Sequence, residues 1–198
     1  MGQAISALYK HTHSEGFWHK SQSSYFRVMI RIEKVALAEA EQLLAFSKKT
    51  FYEFFAHLND LSNIDAYSSQ AFTLQKMQSE LANPDSEFYF ALINDDIAGY
   101  LKLNFNNAQT ELQDKKAVEI ERIYVSAEHH GKHTGRSLLN FATDIAREKQ
   151  IEYLWLGVWE HNNKAIGFYK NHGFEVFSRH DFLLGDDVQT DLMMRKMV

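Results

Sequence analysis

The sequence has no cysteine among its 198 residues, and no apolar run in it is long enough to cross a bilayer. Without cysteine, disulfide bonds, thiolate zinc sites and cysteine nucleophiles are excluded. The N-terminus also lacks the apolar segment of a secretory signal. We therefore expect a cytoplasmic protein with no membrane partner.

Positive charge is scarce as well, because 21 Lys and Arg residues stand against 26 Asp and Glu residues and the formal net charge is −5. Phosphate contacts need a basic surface, so this balance disfavours non-specific binding to nucleic acid. It suits a cationic small molecule better. The hydrophobic fraction of 45% is enough for the core of one domain of this length.

Residues 1–28 are rich in Ser, His and Lys and show no amphipathic period, which predicts a leader that is non-native or disordered. Residues 29–198 are predicted to form the folded domain, which opens with the alternating segment Ile30-Arg31-Ile32. Met1-Gly2 fits the N-myristoylation pattern. We discount this match, because a single acyl chain also needs a second anchoring signal.

The hydrophobic periodicity predicts the element order β-α-α-β-β-β-α-β-α-β-β. Residues 58–67, which contain Asn, Asp and Ser, are predicted to form a loop. Helices are expected at Leu37–His57, Ser69–Leu81, Thr134–Lys149 and Asn163–His172. Strands are expected at 30–35, 87–93, 97–105, 117–125, 151–158, 174–179 and 190–197. This order predicts a mixed α/β domain whose sheet contains hairpins and a crossover, with the apolar strand 151–158 in its centre.

The segment between the strand ending at Val125 and the following helix predicts an anion site. A tight strand-to-helix turn leaves several backbone N–H groups unpaired at the positive end of the helix dipole. Lys132 and Arg136 add positive charge, and a pyrophosphate is the natural occupant. Neither the G-x-G-x-x-G nor the P-loop pattern is present. Three histidines, His129, His130 and His133, lie in this turn without a third ligand type nearby, so no metal is expected.

Two motifs resemble the GNAT superfamily of N-acetyltransferases. The segment His130-Gly131-Lys132-His133-Thr134-Gly135 is similar to its phosphate loop, Q/R-x-x-G-x-G/A. It departs from that pattern at His130, where Gln or Arg is usual, and at His133, where the first Gly is usual. The second motif, N-x-x-A-x-x-F-Y followed by G-F, is matched by Asn162, Ala165, Phe168, Tyr169, Gly173 and Phe174.

Three further segments, 119–125, 157–160 and 185–191, resemble the bacterial PaiA-type polyamine acetyltransferases. The resemblance spans residues 30–198 and implies the GNAT fold, in which helices flank a central, mixed, mostly antiparallel sheet. It implies that the sheet splays open at its middle, after Val125, so that the pantetheine arm of acetyl-CoA enters beside that strand. The residues that the resemblance places at acetyl-CoA are Ile123, Tyr124, Val125, His130, Gly131, Lys132, His133, Thr134, Gly135, Arg136, Ser137, Asn162, Ala165, Phe168 and Tyr169.

The resemblance assigns the acid to Tyr169, which would protonate the CoA thiolate; otherwise Tyr169 is a core aromatic beside Phe168. For the base we expect Glu121 or Glu119, with preference for Glu121. Strand alternation places both carboxylates on one face with Ile123 and Val125. An ion pair between Glu121 and Arg122 is the alternative, and it is disfavoured because Arg122 would face the other way unless a bulge intervenes.

Other expected roles concern binding. A backbone N–H near Ile123 to Val125 would donate to the oxyanion, and Asn162 would bind pantetheine, cap its helix, or do both. Asp186, Asp187 and Asp191 form either a solvated turn or an acidic lip that attracts a polyamine. The aromatic first helix lines either the acceptor site or a partner surface. We also hypothesise that His130 or His133 pairs with a phosphate when protonated.

The resemblance therefore implies transfer of the acetyl group of acetyl-CoA to a primary amine, with spermidine or spermine as the expected acceptor. A peptide or protein amine, or another small amine such as an antibiotic, remains an alternative acceptor. A catalytically silent CoA-binding regulatory module is the alternative of a different class, and His133 at a Gly position is the feature that favours it. A homodimer is compatible with the family.

Overall fold

The computed structural model describes residues 29–55, 61–184 and 187–198, which form a seven-stranded sheet with helices on both faces. The strand order is β1-β2-β3-β4-β5-β7-β6, and only the pair β4–β5 is parallel. This confirms the expected mixed, mostly antiparallel sheet with β5 in its interior. The strands are β1 Ile30–Lys34, β2 Ser86–Ile93, β3 Asp96–Asn104, β4 Ala117–Val125, β5 Tyr153–Trp159, β6 Glu175–Leu184 and β7 Asp187–Met197.

The helices are α1 Ala40–Phe55, α2 Leu61–Ala71, α3 Leu74–Ala82, α4 Thr134–Glu148 and α5 Asn163–Asn171. A single 3-10 turn, Leu37–Glu39, precedes α1, so the helix expected from Leu37 is broken at its start. Its expected end at His57 lies outside the described residues. On one face of the sheet, α4 buries its apolar stripe, including Leu138, Leu139 and Ala142, against β3 and β4. On the other face, α1, α2 and α3 surround a second core.

The prediction that residues 58–67 form a loop is wrong where the structure describes them, because α2 begins at Leu61. Asp65 of this segment lies on the exposed side of a helix that buries Ile64 and Ser68. The predicted single helix Ser69–Leu81 is likewise two helices. Thr73 separates them, since its hydroxyl oxygen accepts a hydrogen bond from the Lys76 N–H and caps α3.

The sheet opens between β4 and β5. These two strands pair only at Ala117–Tyr153, Val118–Leu154 and Glu119–Trp155, although both continue for several residues further. The expected splay is therefore present, but its expected position after Val125 is wrong. Beyond Glu119, the edge of β4 that faces β5 has no strand partner.

A β-bulge lies at the point where the sheet opens. Lys102 pairs with Arg122 and Leu103 pairs with Ile120, which leaves Glu121 as the extra residue of β4. An extra residue bends the strand and inverts its side-chain alternation. Ile120 and Ile123 consequently pack into the same core beneath α4. The prediction that Glu119, Glu121, Ile123 and Val125 share one face is wrong for this reason.

Candidate functional site

A cleft of about 1110 Å³ occupies the opening between β4 and β5 and extends towards α1 and α2. It brings together most of the residues that the sequence nominated. Lys132 and Ser137 are not among the lining residues, and the Ser137 N–H is already bonded to the His133 carbonyl. The nominated residues that line the cleft are Glu119, Glu121, Ile123, Tyr124, Val125, His130, Gly131, His133, Thr134, Gly135, Arg136, Asn162, Ala165, Phe168 and Tyr169.

The N-terminus of α4 forms the anion-binding end of the cleft. His133 is the residue before the helix and has a left-handed backbone, with φ 65°, and Gly131 has φ 76°. In the described chain, no backbone acceptor bonds the N–H groups of residues 133–136. The Thr134 hydroxyl is buried without a hydrogen-bond partner in that same region. These groups, with the helix dipole, fit a pyrophosphate.

The three histidines of this turn have different environments. His129 Nδ1 lies 2.8 Å from the Ser126 hydroxyl oxygen, and His130 Nε2 lies 3.0 Å from the Val125 carbonyl oxygen. The His133 side chain forms no hydrogen bond or ion pair with another described residue, and His133 is exposed. Its left-handed backbone accounts for the glycine that the family pattern has at this position.

Tyr169 lies on α5, and its ring contacts Phe168 and Phe174. The ring therefore packs as a core aromatic residue would, and the hydroxyl of the same side chain is the expected acid. Burial raises the pKa of its hydroxyl, which is therefore protonated at neutral pH. Within the described residues the hydroxyl has no hydrogen-bond partner, and the residue lines the cleft. Asn162 precedes this helix and caps it, because its Oδ1 accepts a hydrogen bond from the Ala165 N–H at 3.0 Å.

Glu121, the bulge residue, belongs to a closed ring of charges. Its carboxylate lies 2.6 Å from Lys102 Nζ and 3.0 Å from Arg122 Nη2. Glu80 of α3 completes the ring, at 3.1 Å from Lys102 and 3.0 Å from Arg122. Burial alone would raise the pKa of Glu121, but Arg122, Lys102 and an Asn104 hydrogen bond outweigh it and lower the pKa. The expectation that Arg122 faces away from Glu121 is wrong, because the bulge turns both side chains to the same side.

Glu119 is held by hydrogen bonds, and no cation among the described residues pairs with it. It accepts from the Thr110 N–H at 2.8 Å, from the Thr110 hydroxyl at 2.6 Å and from the Asn104 amide at 3.2 Å. Burial raises its pKa despite these donors. The hydrogen bonds from Thr110 to Glu119 also hold the loop between β3 and β4 across the floor of the cleft. In the same loop, Gln109 accepts a hydrogen bond from the Trp155 indole N–H at 2.7 Å.

Asp191 is a third carboxylate in the cleft. The sequence suggested it only as part of an acidic lip; Asp186 lies outside the described residues, and the Asp187 side chain is not described. Asp191 lies on β7, opposite Trp159 of β5 and His180 of β6. Burial raises its pKa to about 6, and His180 opposes that shift. The signal that could have identified it is Gly157, since a glycine inside a strand indicates a close approach by another group.

The wall of the cleft opposite α5 is aromatic. Phe51, Phe54 and Phe55 from α1, with Tyr67 and Phe72, line it, so the aromatic first helix contributes to this cleft. Two other aromatic residues of α1 have structural contacts. Phe46 packs edge-on against Tyr100, and the Tyr52 hydroxyl donates to Asp65.

The described residues contain neither a metal-binding cluster nor a membrane-spanning helix. No group of three or more His, Asp or Glu side chains in this part of the chain is placed to hold a metal ion. No helix in the same residues has both the length and the apolar character needed to cross a bilayer.

Comparison with known families matches residues 50–174 to the acetyltransferase (GNAT) family. An uncharacterized N-acetyltransferase in the pepI 3' region of Lactobacillus delbrueckii subsp. lactis is 38% identical over 167 residues, which are 84% of this chain and 96% of that protein. A spermidine N(1)-acetyltransferase of Thermoplasma acidophilum is 24% identical over 151 residues, or 74% of this chain and 89% of that protein. Streptothricin acetyltransferase of Streptomyces lavendulae is 35% identical over 97 residues, or 48% of each chain.

A solved structure of the PaiA N-acetyltransferase from Thermoplasma acidophilum in complex with coenzyme A superposes with a TM-score of 0.69. The superposition covers 86% of this chain and 99% of that one, at 22% sequence identity. At this identity the likeness establishes the fold.

Proposed function

Because this chain belongs to the acetyltransferase (GNAT) family, we propose that the N-acetyl transfer it catalyses has a polyamine such as spermidine or spermine as its acceptor. The observation that carries the proposal is the composition of the cleft on the side of α1 and α2. Carboxylates there attract an ammonium group, and aromatic faces stabilise an alkylammonium chain through cation–π contacts. The carboxylates are Glu111, Glu119, Glu121 and Asp191, and the aromatic residues are Phe51, Phe54, Phe55, Tyr67, Trp155 and Trp159.

The co-substrate is acetyl-CoA, and the opposite end of the cleft fits its pyrophosphate. The free N–H groups of residues 133–136 and the unpartnered Thr134 hydroxyl would bind the phosphate oxygens. Arg136 adds positive charge at the same end. The unpaired edge of β4 at Ile123–Val125 would hydrogen-bond the pantetheine arm and donate an N–H to the oxyanion.

Acetyl-CoA supplies a thioester carbonyl carbon, which an unprotonated amine attacks. As the C–N bond forms and the C–S bond breaks, the Tyr169 hydroxyl donates its proton to the departing sulfur. The second proton of the attacking nitrogen then restores Tyr169. The tyrosine suits this role because burial keeps it protonated and because no described residue engages its hydroxyl.

The expected base is a carboxylate of β4. Of the two nominated residues, Glu119 is the better suited, because its pKa is raised whereas that of Glu121 is lowered by two cations. We therefore assign to Glu121 mainly the support of the bulge. With Glu119 as the base, Glu119→Gln lowers turnover, whereas Glu121→Gln lowers stability.

The relative that acetylates streptothricin favours a second acceptor class, a small cationic antibiotic amine. Both classes present a protonated amine to the same carboxylates. Streptothricin differs from spermidine by being bulky, so it would require more of the aromatic wall to rearrange. A peptide amine and a CoA-binding module without turnover are the remaining outcomes.

The test is release of free thiol from acetyl-CoA in the presence of spermidine, spermine, streptothricin, an aminoglycoside or a peptide with a free N-terminus. The protein contains no cysteine, so it gives no thiol background. We expect release with the polyamines and a roughly 10²- to 10⁴-fold lower turnover in Tyr169→Phe with CoA affinity retained. Tyr153→Phe is the matched control, because its hydroxyl donates to Asp114 at 2.8 Å and does not line the cleft.

Each other outcome has a distinct meaning. Release only with streptothricin or the aminoglycoside replaces the polyamine by an antibiotic amine, and release only with peptides replaces it by a protein acceptor. No release with any amine, while CoA still binds, identifies a binding module. Unchanged turnover in Tyr169→Phe removes Tyr169 from the chemistry.

A further inference from the structure

The Asp191 carboxylate lies over β5 at the point where the sheet opens. An added Cβ at Gly157 would stand 3.0 Å from Asp191 Oδ2 and 3.7 Å from its Cβ and Cγ atoms. An alanine at position 157 would therefore require this carboxylate to move by a few tenths of an ångström. Glycine here leaves room for the carboxylate in the cleft, over the part of β5 that β4 leaves unpaired.

Asp191 differs from the other two carboxylates in having no partner. Glu121 is paired with two cations, and Glu119 accepts three hydrogen bonds. Within residues 29–55, 61–184 and 187–198, no hydrogen bond or ion pair engages the Asp191 carboxylate. A carboxylate that is mostly buried and unpaired is unfavourable for folding, so its presence in a cleft indicates a ligand that completes it.

Within the described residues, the charged and titratable groups around Asp191 do not bond its carboxylate, which is therefore free to bind a ligand. His180, its partner on β6, is within 3.3 Å of Glu111 from the loop between β3 and β4. Arg122 of β4 is occupied by Glu80 and Glu121. Tyr67 of α2 lies close enough for Asp191 to help raise its pKa. The side chain thus has a carboxylate-rich surrounding and lacks a cation of its own.

We propose that Asp191 binds the ammonium group of the acceptor and is the catalytic base that takes its proton. This inference rests on the proposed function and identifies the residue that selects a protonated amine. The ammonium supplies the positive charge that the Asp191 carboxylate lacks, and the geometry at Gly157 leaves the carboxylate room to meet it. Asp191 then replaces Glu119 as the base, so Glu119→Gln should retain turnover.

One N–H bond of the ammonium breaks, and its proton forms an O–H bond with the Asp191 carboxylate. The neutral nitrogen then forms the C–N bond of the amide as the thioester C–S bond breaks. Tyr169 protonates the departing sulfur, and the second N–H proton of the nitrogen restores Tyr169. Asp191 releases its proton to solvent after product leaves, so one proton is released for each acetyl group transferred.

The raised pKa of Asp191 supports this role, because a base with a pKa of about 6 is ionised at neutral pH and is a stronger proton acceptor than an ordinary aspartate. The profile of kcat/KM against pH should then contain an ionisation near this value. An acceptor that is already unprotonated at neutral pH, such as an O-alkylhydroxylamine, should depend much less on Asp191.

The experiment measures thiol release and CoA affinity for wild type, Asp191→Asn and Asp181→Asn, with spermidine or whichever amine of the panel wild type acetylates. Asp181 is a matched control, since it lies on the same hairpin, accepts a hydrogen bond from Thr190 at 2.8 Å and does not line the cleft. We expect a roughly 10²- to 10⁴-fold fall in kcat/KM for Asp191→Asn, loss of the acidic ionisation and unchanged CoA affinity. Asp181→Asn should match wild type.

A second pair of variants tests the position of the carboxylate. Gly157→Ala should lower kcat/KM by displacing Asp191, whereas Gly167→Ala, with no atom within 4 Å of the added Cβ, should not. O-alkylhydroxylamine turnover that falls as much as spermidine turnover in Asp191→Asn would show a structural role and overturn the inference. Spermidine turnover within about threefold of wild type in Asp191→Asn would overturn it too. Absence of thiol release from wild type with every amine would overturn the proposed function itself.

Discussion

Glu121 and Arg122 are consecutive residues of β4, yet they form an ion pair, with Arg122 Nη2 3.0 Å from Glu121 Oε1. Adjacent residues of a regular strand point to opposite faces and cannot do this. The bulge at Glu121 permits it, and the same bulge marks the region where β4 leaves β5. The ion pair and the opening of the cleft therefore have one structural origin.

The first prediction concerns the charge ring that holds this bulge. The Lys102 side chain is only 5% exposed and bonds Glu121 and Glu80, so Lys102→Met would leave two buried carboxylates with one cation. We expect a loss of about 3–5 kcal/mol in the free energy of unfolding, measured by urea denaturation. Lys116→Met, which removes an exposed pair with Glu152, should cost less than about 1 kcal/mol.

A double variant separates the effect of losing the ion pair from the effect of changing the volume of the Lys102 side chain. Lys102→Met with Glu121→Gln removes the buried charge together with its partner, so it should be more stable than Lys102→Met alone. An equal loss in the single and double variants would show that the ring does not act through charge.

The sequence predicted those features whose defining residues lie close together in the chain. Asn162 and Gly173 lie at either end of one short helix, so their spacing alone predicted α5. The anion site follows in the same way from one strand-to-helix turn. The bulge at Glu121, in contrast, is defined only by the register of β4 against β3, and no pattern within β4 encodes that register.

The role of Asp191 could not be predicted from the sequence for a similar reason, because the residue that it depends on lies far from it in the chain. Its role depends on Gly157, which is brought next to it by the pairing of β5 with β7. The helix α2 was missed for a different reason. Its polar residues resemble a loop in isolation, and the helix is stabilised by tertiary packing of residues such as Ile64 and Tyr67 against α1.

The second prediction concerns the pH dependence of CoA binding. Within the described residues, His133 is the one histidine of the phosphate turn whose imidazole ring has no hydrogen bond, so the ring is free to pair with a phosphate when protonated. CoA should bind roughly two- to fivefold more tightly at pH 6 than at pH 8, the strength of an exposed ion pair. Calorimetric titration of wild type and His133→Asn measures this difference.

The comparison uses asparagine because it tolerates the left-handed backbone of position 133. The pH dependence should disappear in His133→Asn and persist in His129→Asn, whose ring is held by Ser126. Equal pH dependence in wild type and His133→Asn would assign the effect to another group.

The third prediction separates backbone strain from crowding in the same turn. Gly131 has φ 76° and nothing within 4 Å of an added Cβ, so Gly131→Ala would be strained only by its backbone. We expect a loss of about 1–2 kcal/mol in the free energy of unfolding. Gly135→Ala would place its Cβ 3.8 Å from Phe168 and Val125, an ordinary contact, and should be neutral within about 0.5 kcal/mol.

The fourth prediction is that the substitution Asp191→Asn, which should inactivate the enzyme, also stabilises its fold at a pH above the pKa of Asp191. The pKa of Asp191 is raised from 3.8 to about 6 in the folded protein, so the folded state holds its proton more tightly than the unfolded chain. This carboxylate therefore destabilises the fold above pH 6 and has no such effect below pH 3.8. At pH 8 the variant should gain about 1–2 kcal/mol after allowance for solvent screening. Thermal unfolding of both proteins at pH 4 and pH 8 measures the gain, and a difference in Tm that does not grow with pH would contradict it.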